Sequence, residues 1–301
     1  MIRCILTATD FSKRSQAALA RAGSLARLAE ARLVLLHVVD EDAPAAVVAA
    51  RRAIAEEELA RESAGLADLA CETRVVAGDP FAAVAAAAVE LGADLVVAGD
   101  HRRSLWRSLF LDTTVERLVR VASVPILIAR GSAATPYVHA LVGVEAEPAR
   151  AVLAILQGLG GAAPAHVSLL HAFDPIASGK MAHAGVSDGE IAAYEAETAA
   201  AVRRSLEGVA GAGPALAEVV VVAGEPVSAL EEAAARLDVD LVVTATHARR
   251  GLGRLVLGSV TSRLLRESDR DLLIVPPSLF DGGDVSAARS PAADGGGAAR
   301  A

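Results

Sequence analysis

The sequence is poor in cysteine and has no recognisable metal-binding pattern. Its only two cysteines are Cys4 and Cys71. One lies in a predicted strand and the other lies just before one, and their spacing does not match a zinc site. We therefore expect reduced thiols in a cytoplasmic protein.

Basic charge and long apolar runs are also lacking. The chain has 29 Lys and Arg against 37 Asp and Glu, a net charge of -8, which argues against nucleic-acid binding because neutralising phosphates needs a basic face. The longest alanine-rich run, 81–98, is interrupted by Glu90 and Asp94, so no segment is expected to span a membrane. The opening M-I-R-C-I-L enters a strand directly, which does not predict a signal peptide.

Familiar catalytic arrangements are missing as well. The sequence shows no Ser-His-Asp or Cys-His order, no paired carboxylates within one loop and no metal-ligand cluster. We accordingly predict no catalytic residue and no protein-bound metal.

The sequence contains an internal duplication. V-V-A-G-D-P at 75–80 recurs as V-V-A-G-E-P at 221–226, and D-L-V-V at 94–97 recurs at 240–243. A period this long indicates domains and not short repeats. We predict one domain at 1–130, a second at 136–277, and a disordered tail at 281–301, where Gly, Ala and Ser show no apolar period.

Strands and helices alternate in both copies. Apolar runs predict strands at 2–9, 33–39, 72–77, 95–98 and 126–129, and again at 138–144, 167–172, 218–223, 241–243 and 272–275. The intervening helical patterns include one from 45 to about 69. This order predicts an α/β fold with two open, parallel, five-stranded sheets covered by helices on both faces. Ligands of such sheets bind beyond the carboxyl ends of the strands.

One stretch, 240–260, combines a buried strand with a loop rich in glycine and arginine. Gly251 and Gly253 permit close backbone approach, and the arginines of the loop supply positive charge. Gly258 and Ser259 then open a helix, and the free N–H groups of a helix start form an anion site.

Several local patterns resemble a tandem universal stress protein. They are A-T-D-F-S at 8–12, L-L-H-V-V-D at 35–40, the two V-V-A-G segments, and the G-S-V that ends the 240–260 stretch. The resemblance implies an adenine-nucleotide alpha-hydrolase-like fold whose two domains pack as an internal pseudo-dimer through their fifth strands. ATP-binding members carry G-x2-G-x9-G-(S/T) after the fourth strand, and its glycines and hydroxyl hold phosphates and ribose. An acidic residue after the first strand meets the nucleoside, and backbone after the second-strand histidine meets adenine.

The first copy departs from that motif in a way that opposes phosphate. Asp112 stands at the third glycine, and a carboxylate there costs on the order of a kcal/mol or more beside a bound phosphate. We therefore expect a degenerate site in the first domain. Its residues are Asp10, Val38, Gly99, Arg102, Asp112 and Thr113.

The second copy departs less severely. Ala245 and Ala248 replace the first two glycines, Gly258 and Ser259 are kept, and Glu145 stands where the first domain has Asp10. Added methyl groups crowd a backbone contact without reversing its charge, so we predict that the surviving nucleotide site lies here. Its residues are Glu145, Ala172, Ala245, Thr246, His247, Ala248, Arg249, Gly258, Ser259 and Val260.

The resemblance implies a cytoplasmic stress-response or regulatory protein that binds ATP without robust catalysis. Slow hydrolysis would at most serve as a timer, with Mg²⁺ present only together with ATP. The expected partners are the nucleotide and an unidentified regulatory protein, and further homodimerisation stays open. The main alternative is a nucleotide-free interaction module, and a third is an adenylate-using enzyme on the same fold. For individual residues, Asp10 could instead cap a helix, and His37 and His171 are expected to be hydrogen-bonded strand-end residues.

Overall fold

The strands form where short apolar, β-branched runs are bounded by turns, and the helices form where apolar residues recur with helical spacing. A computed structural model describes residues 1–100, 114–131, 136–144, 146–173, 181, 183–210, 216–246 and 257–280. We call residues 1–131 the first half and residues 136–280 the second half.

The first half alternates strands and helices. In order they are β1 (Cys4–Ala8), α1 (Lys13–Ala29), β2 (Arg32–Val39), α2 (Ala45–Ala64), β3 (Cys71–Ala77), α3 (Pro80–Glu90), β4 (Leu95–Gly99), α4 (Thr114–Val121) and β5 (Ile126–Ala129).

The second half repeats the same order. Its elements are β6 (His139–Gly143), α5 (Ala146–Gly158), β7 (His166–Phe173), α6 (Asp188–Ala210), β8 (Leu216–Ala223), α7 (Pro226–Arg236), β9 (Leu241–Ala245), α8 (Ser259–Glu267) and β10 (Asp271–Val275). Short 3-10 turns follow α5 and β10, at Gly160–Ala162 and Pro277–Leu279.

All ten strands belong to one sheet, ordered β3-β2-β1-β4-β5-β10-β9-β6-β7-β8. Neighbouring strands are parallel except β5 and β10, which pair antiparallel with Leu127 opposite Leu273. The predicted α/β class and the meeting of the fifth strands are confirmed. The two predicted five-stranded sheets are joined edge to edge, because β5 and β10 each offer the other a free strand edge.

Helices cover both faces of this sheet, and side chains alternate between the two sides along each strand. Ile5 belongs to the core beneath α1, α2, α5 and α6, whereas the next residue, Leu6, belongs to the core beneath α3, α4, α7 and α8. Both residues are fully buried. None of the helices in the described ranges is long and apolar enough to cross a membrane.

The duplicated sequence produces duplicated local geometry. Gly78 and Gly224 adopt φ angles of 144° and 146°, which L-residues with side chains rarely adopt. Asp94 accepts hydrogen bonds from the backbone N–H groups that open β1, and Asp240 does the same for the residues that open β6. The repeated acidic residues at 94 and 240 therefore tie neighbouring strands together at their amino ends.

Two predicted segments, the end of α2 and the tail at 281–301, differ from the described structure or lie outside it. The helix predicted to reach about 69 ends at Ala64, because Gly65 begins a series of turns whose N–H groups bond to the last carbonyls of α2. The segment predicted as a disordered tail, 281–301, lies outside the described residues.

Candidate functional site

Each half has a cavity at the carboxyl ends of its central strands. The first-half cavity has a volume of about 220 Å³. Its lining consists of Ala8, Thr9, Asp10, Ser15, Leu36, His37, Val38, Pro80, Phe81, Val84, Ala98, Gly99 and Leu118. The second-half cavity has a volume of about 180 Å³. Its lining consists of Gly143, Val144, Leu170, His171, Ala172, Pro226, Leu230, Thr244, Ala245 and Val260.

The two strand-end histidines make the same hydrogen bond. His37 Nδ1 lies 2.9 Å from the Thr9 carbonyl oxygen, and His171 Nδ1 lies 3.1 Å from the Val144 carbonyl oxygen. Because a carbonyl only accepts, Nδ1 carries the hydrogen in both. These histidines link the second strand of each half to the end of the first, as the hydrogen-bonded interpretation predicted.

Asp10 lies in the cavity wall and does not cap the following helix. Ser12 is the N-cap of α1, and its hydroxyl accepts from the Ser15 N–H at 3.3 Å. The Asp10 carboxylate accepts from the Ser12 N–H at 3.0 Å. Asp10 therefore shapes the turn before α1 while placing negative charge at the first-half cavity.

A second carboxyl group, which the sequence did not single out, stands beside this turn. Glu62 of α2 lies with Oε1 3.5 Å from the Thr9 hydroxyl. Burial raises the pKa of Glu62, with further contributions from the nearby carboxylates of Glu58 and Asp10. The first-half cavity therefore borders a group of acids. The sequence gives no signal for the contact between Thr9 and Glu62, because the two residues are 53 positions apart in the chain.

Gly99 is required by packing. A Cβ at this position would lie 2.7 Å from the Arg14 carbonyl oxygen, where α1 crosses the end of β4. Its counterpart in the second half is Ala245, which ends β9 and is 8% exposed. The glycine of the first half is thus explained without a ligand, and Ala245 alone does not indicate a lost site.

The second-half cavity is uncharged in its described lining, which includes no Asp, Glu, Lys or Arg. Helix α8 starts beside it, and Val260 belongs to both. Gly258 is the N-cap, with φ -60° and ψ 152°, and brings no capping side chain. Nothing lies within 4 Å of a Cβ built on Gly258. Within the described residues, Gly258 therefore offers no side chain to the first amides of α8, and no atom crowds its Cβ position.

The structure brings several predicted site residues together. Ala172, Ala245 and Val260 line the second-half cavity. Thr246 follows Ala245, and its hydroxyl donates to the Val275 carbonyl oxygen at 3.4 Å. Seven predicted residues lie outside those whose side chains are described: Arg102, Asp112, Thr113, Glu145, His247, Ala248 and Arg249.

An arginine beside each cavity pairs with the N-cap acid of the preceding helix. Arg263 lies 2.9 Å from Glu225, and its sequence counterpart, Arg117, lies 3.7 Å from Asp79. The backbone N–H of Ser228 is the main cause that lowers the pKa of Glu225 to about 2, assisted by the Val227 N–H, the Ser228 hydroxyl and Arg263. The matching of these arginines between the two copies was the sequence signal for this pair.

Comparison with known proteins identifies the family. The profile of the universal stress protein family matches residues 1–130 and 136–276. The chain belongs to the universal stress protein family. No curated protein sequence matches it.

Solved structures of universal stress proteins share the fold over nearly the whole chain. One from Archaeoglobus fulgidus is 15% identical with a TM-score of 0.65, and the alignment covers 91% of this chain and 98% of that one. A putative universal stress protein from Pseudomonas aeruginosa is 19% identical with a TM-score of 0.58, covering 93% and 95%. At these identities the likeness shows the common architecture. Among the described residues of this universal stress protein, no cluster of His, Cys, Asp and Glu could hold a metal.

Proposed function

We propose that this universal stress protein binds ATP in its second half and acts as a cytoplasmic stress-response or regulatory protein without robust catalysis. The observation that carries the proposal is the start of α8, where Gly258 brings no capping side chain, beside a cavity whose described lining has no Asp, Glu, Lys or Arg. Helix N-terminal amides and the positive end of the helix dipole favour a phosphate. The cavity would then receive the nucleoside.

The roles of the residues follow from their positions. Ala172 and Ala245 border the space for the base, and Gly258, Ser259 and Val260 present backbone to the phosphates. Glu145, His247, Ala248 and Arg249 are proposed from the sequence to complete the nucleoside and phosphate contacts. Mg²⁺ would be present only together with ATP and would offset the charge of its phosphates, and slow hydrolysis would at most serve as a timer.

The first half supports this assignment by contrast. The two halves differ at the third glycine of the motif, where the first half has Asp112 and the second half has Gly258. A carboxylate at that position repels a polyphosphate. Asp10 does not distinguish the halves, because Glu145 is its counterpart in the second half. ATP is therefore expected at one site per chain.

A nucleotide-free interaction module is the alternative function. The observation that favours it is the smaller volume of the second-half cavity, about 180 Å³ against about 220 Å³ in the first half.

The test has two parts. Small molecules are extracted from the purified protein and identified by mass spectrometry, and ATP is titrated into the nucleotide-free protein by calorimetry. Copurified adenine nucleotide, or saturable heat with one site per chain, supports the proposal. No extracted nucleotide together with no heat at millimolar ATP would favour the interaction module. Fast ATP turnover that depends on a second substrate would instead indicate an enzyme.

A further inference from the structure

A side chain of the first half reaches the carboxyl end of helix α8 in the second half. Arg130 follows β5, and its guanidinium donates to the carbonyl oxygens of Leu264 at 3.0 Å, Leu265 at 2.5 Å and Ser268. Its side chain is 3% exposed. One buried cation thus contacts three carbonyls at the end of the helix whose start forms the proposed phosphate site.

These contacts provide hydrogen-bond donors and positive charge to the carbonyl groups at the end of α8. The last carbonyls of a helix have no partner within the helix, and a cation near them also interacts favourably with the helix dipole. The basic residue in the last turn of α8, Arg266, is directed elsewhere, towards Glu116 at 3.5 Å. Arg130 therefore supplies the cation that lies on the carbonyls.

Arg130 is itself fixed from two sides. The N–H groups of Arg130 and Gly131 donate to Asp271 Oδ1 at 2.7 and 3.0 Å. Its Nε lies 3.7 Å from Asp100, the residue that follows β4. Asp271 begins β10 and holds the backbone of Arg130, whereas Asp100 follows β4 and lies beside its guanidinium, so the residue is tied to strands of both halves.

Arg130 of the first half contacts helix α8 of the second half, but the matching positions of the second half do not provide the same contact to helix α4. The residue that follows β10, as Arg130 follows β5, is Pro276, and the residue just before Ile126 of β5, matching Asp271, is Pro125. Proline has no N–H and no charge, so these positions cannot repeat the contact for α4. The helix end that is fastened across the junction belongs to the half with the uncharged cavity.

We propose that Arg130 is a positioning residue for the phosphate site at the start of α8, so that the first half sets the affinity of a site in the second. The inference rests on the proposed function. Because α8 has only nine residues, about two and a half turns, we expect that loosening its last turn also displaces its first amides. The apparent affinity then falls in proportion to the fraction of molecules in which α8 is in place.

The test compares ATP with adenosine, because only ATP reaches the start of α8 with phosphates. Calorimetric titrations are made on the wild type, Arg130→Met and the milder Arg130→Lys, below their melting temperatures. ATP affinity is expected to fall about tenfold in Arg130→Met and less in Arg130→Lys, with adenosine affinity unchanged. A general loss of stability would weaken both ligands together.

Arg21→Lys is the matched control. Arg21 is another buried arginine at the junction, where it pairs with Asp271 and lies over the ring of Tyr137. The Arg21→Lys substitution should leave the ratio of ATP affinity to adenosine affinity unchanged. Hydrogen exchange of the α8 amides in the absence of ligand should be faster in Arg130→Met than in Arg21→Lys.

The outcomes separate the two proposals. Wild-type ATP binding with the same ATP-to-adenosine ratio in all variants would overturn the role of Arg130 and leave the proposed function intact. Absence of ATP binding by the wild type would overturn both. A selective loss of ATP affinity in the Arg130 variants supports the inference.

Discussion

Arg21 and Asp271 form a buried ion pair between the two halves, with Arg21 Nε 2.9 Å from Asp271 Oδ2 and side chains that are 6% and 2% exposed. The Tyr137 hydroxyl donates to the same oxygen at 2.7 Å, and the Arg21 guanidinium lies 4.4 Å from the centre of the Tyr137 ring. Asp271 also accepts the backbone N–H of Arg130. One carboxylate of β10 thus joins helix α1, Arg130 after β5 and Tyr137 before β6.

Removing the cation should destabilise the protein strongly, because Asp271 would remain buried without it. We expect Arg21→Met to lower the free energy of unfolding by about 3 to 5 kcal/mol, measured by urea denaturation. Arg61→Met is the control, since Arg61 is 65% exposed and pairs only with Glu57 and Glu58 on the surface of α2. That change should cost about 1 kcal/mol or less. Equal losses for the two variants would contradict a structural role for the buried pair.

Tyr137 should limit stability at high pH. Burial, followed by the charge of Asp271, raises the pKa of Tyr137 well above its ordinary value. The neutral phenol is therefore favoured in the folded state, and its contribution to stability is lost as pH rises past the unfolded pKa of about 10. In a Tyr194→Phe background, where Tyr137 is the only tyrosine, phenolate absorbance should appear together with loss of circular dichroism. Phenolate formation in the folded protein near pH 10 would argue against this burial.

Glu225 should contribute stability that acid removes. Its pKa is lowered to about 2, chiefly by the Ser228 N–H. A depressed pKa means that the contribution is present above the unfolded pKa and is lost as pH falls towards the folded value. The stability difference between wild type and Glu225→Gln should therefore shrink as pH falls from about 5 to about 2 in denaturant titrations. Carboxyl carbon shifts in NMR would test the pKa directly, and an ordinary titration near 4 would refute it.

Substitution by alanine should lower the stability of the protein at Gly99 and leave it nearly unchanged at Gly258. A methyl group on Gly99 meets the Arg14 carbonyl oxygen at 2.7 Å, whereas one on Gly258 meets nothing within 4 Å. We expect Gly99→Ala to cost about 1 to 3 kcal/mol through overpacking. Gly258→Ala should stay within about 0.5 kcal/mol of the wild type. Thermal melting measures the loss of stability in both variants. A larger loss for Gly258→Ala than for Gly99→Ala would contradict the tight packing at Gly99 and the open space at Gly258.

The sequence predicted the strands and their parallel order, because apolar periodicity and the duplication can be read directly from it. The meeting of the fifth strands was implied by the resemblance to universal stress proteins. It also placed Asp10, Val38 and Gly99 at one cavity and Ala172 and Ala245 at the other. Residues at the carboxyl ends of parallel strands converge whatever their loops do, which explains this success.

Contacts between distant segments could not be predicted in the same way. Arg130 meets Leu264 across 134 positions of the chain, and neither the periodicity nor the spacing of motifs points to that pair. The hydrogen bond from the Thr246 hydroxyl to the Val275 carbonyl oxygen is another contact that the motif does not predict. Side-chain direction at a strand end depends on the neighbouring strand, which the motif does not encode.

Calorimetric titration of ATP into Gly258→Asp, with Gly258→Ala as control, tests the central claim most directly. Neither side chain meets a described atom within 4 Å at its Cβ, so both variants should fold, and only the aspartate brings negative charge to the start of α8. ATP binding that persists in Gly258→Ala and disappears in Gly258→Asp is the predicted result. Unchanged affinity in Gly258→Asp, or nucleotide density confined to the first-half cavity, would contradict it.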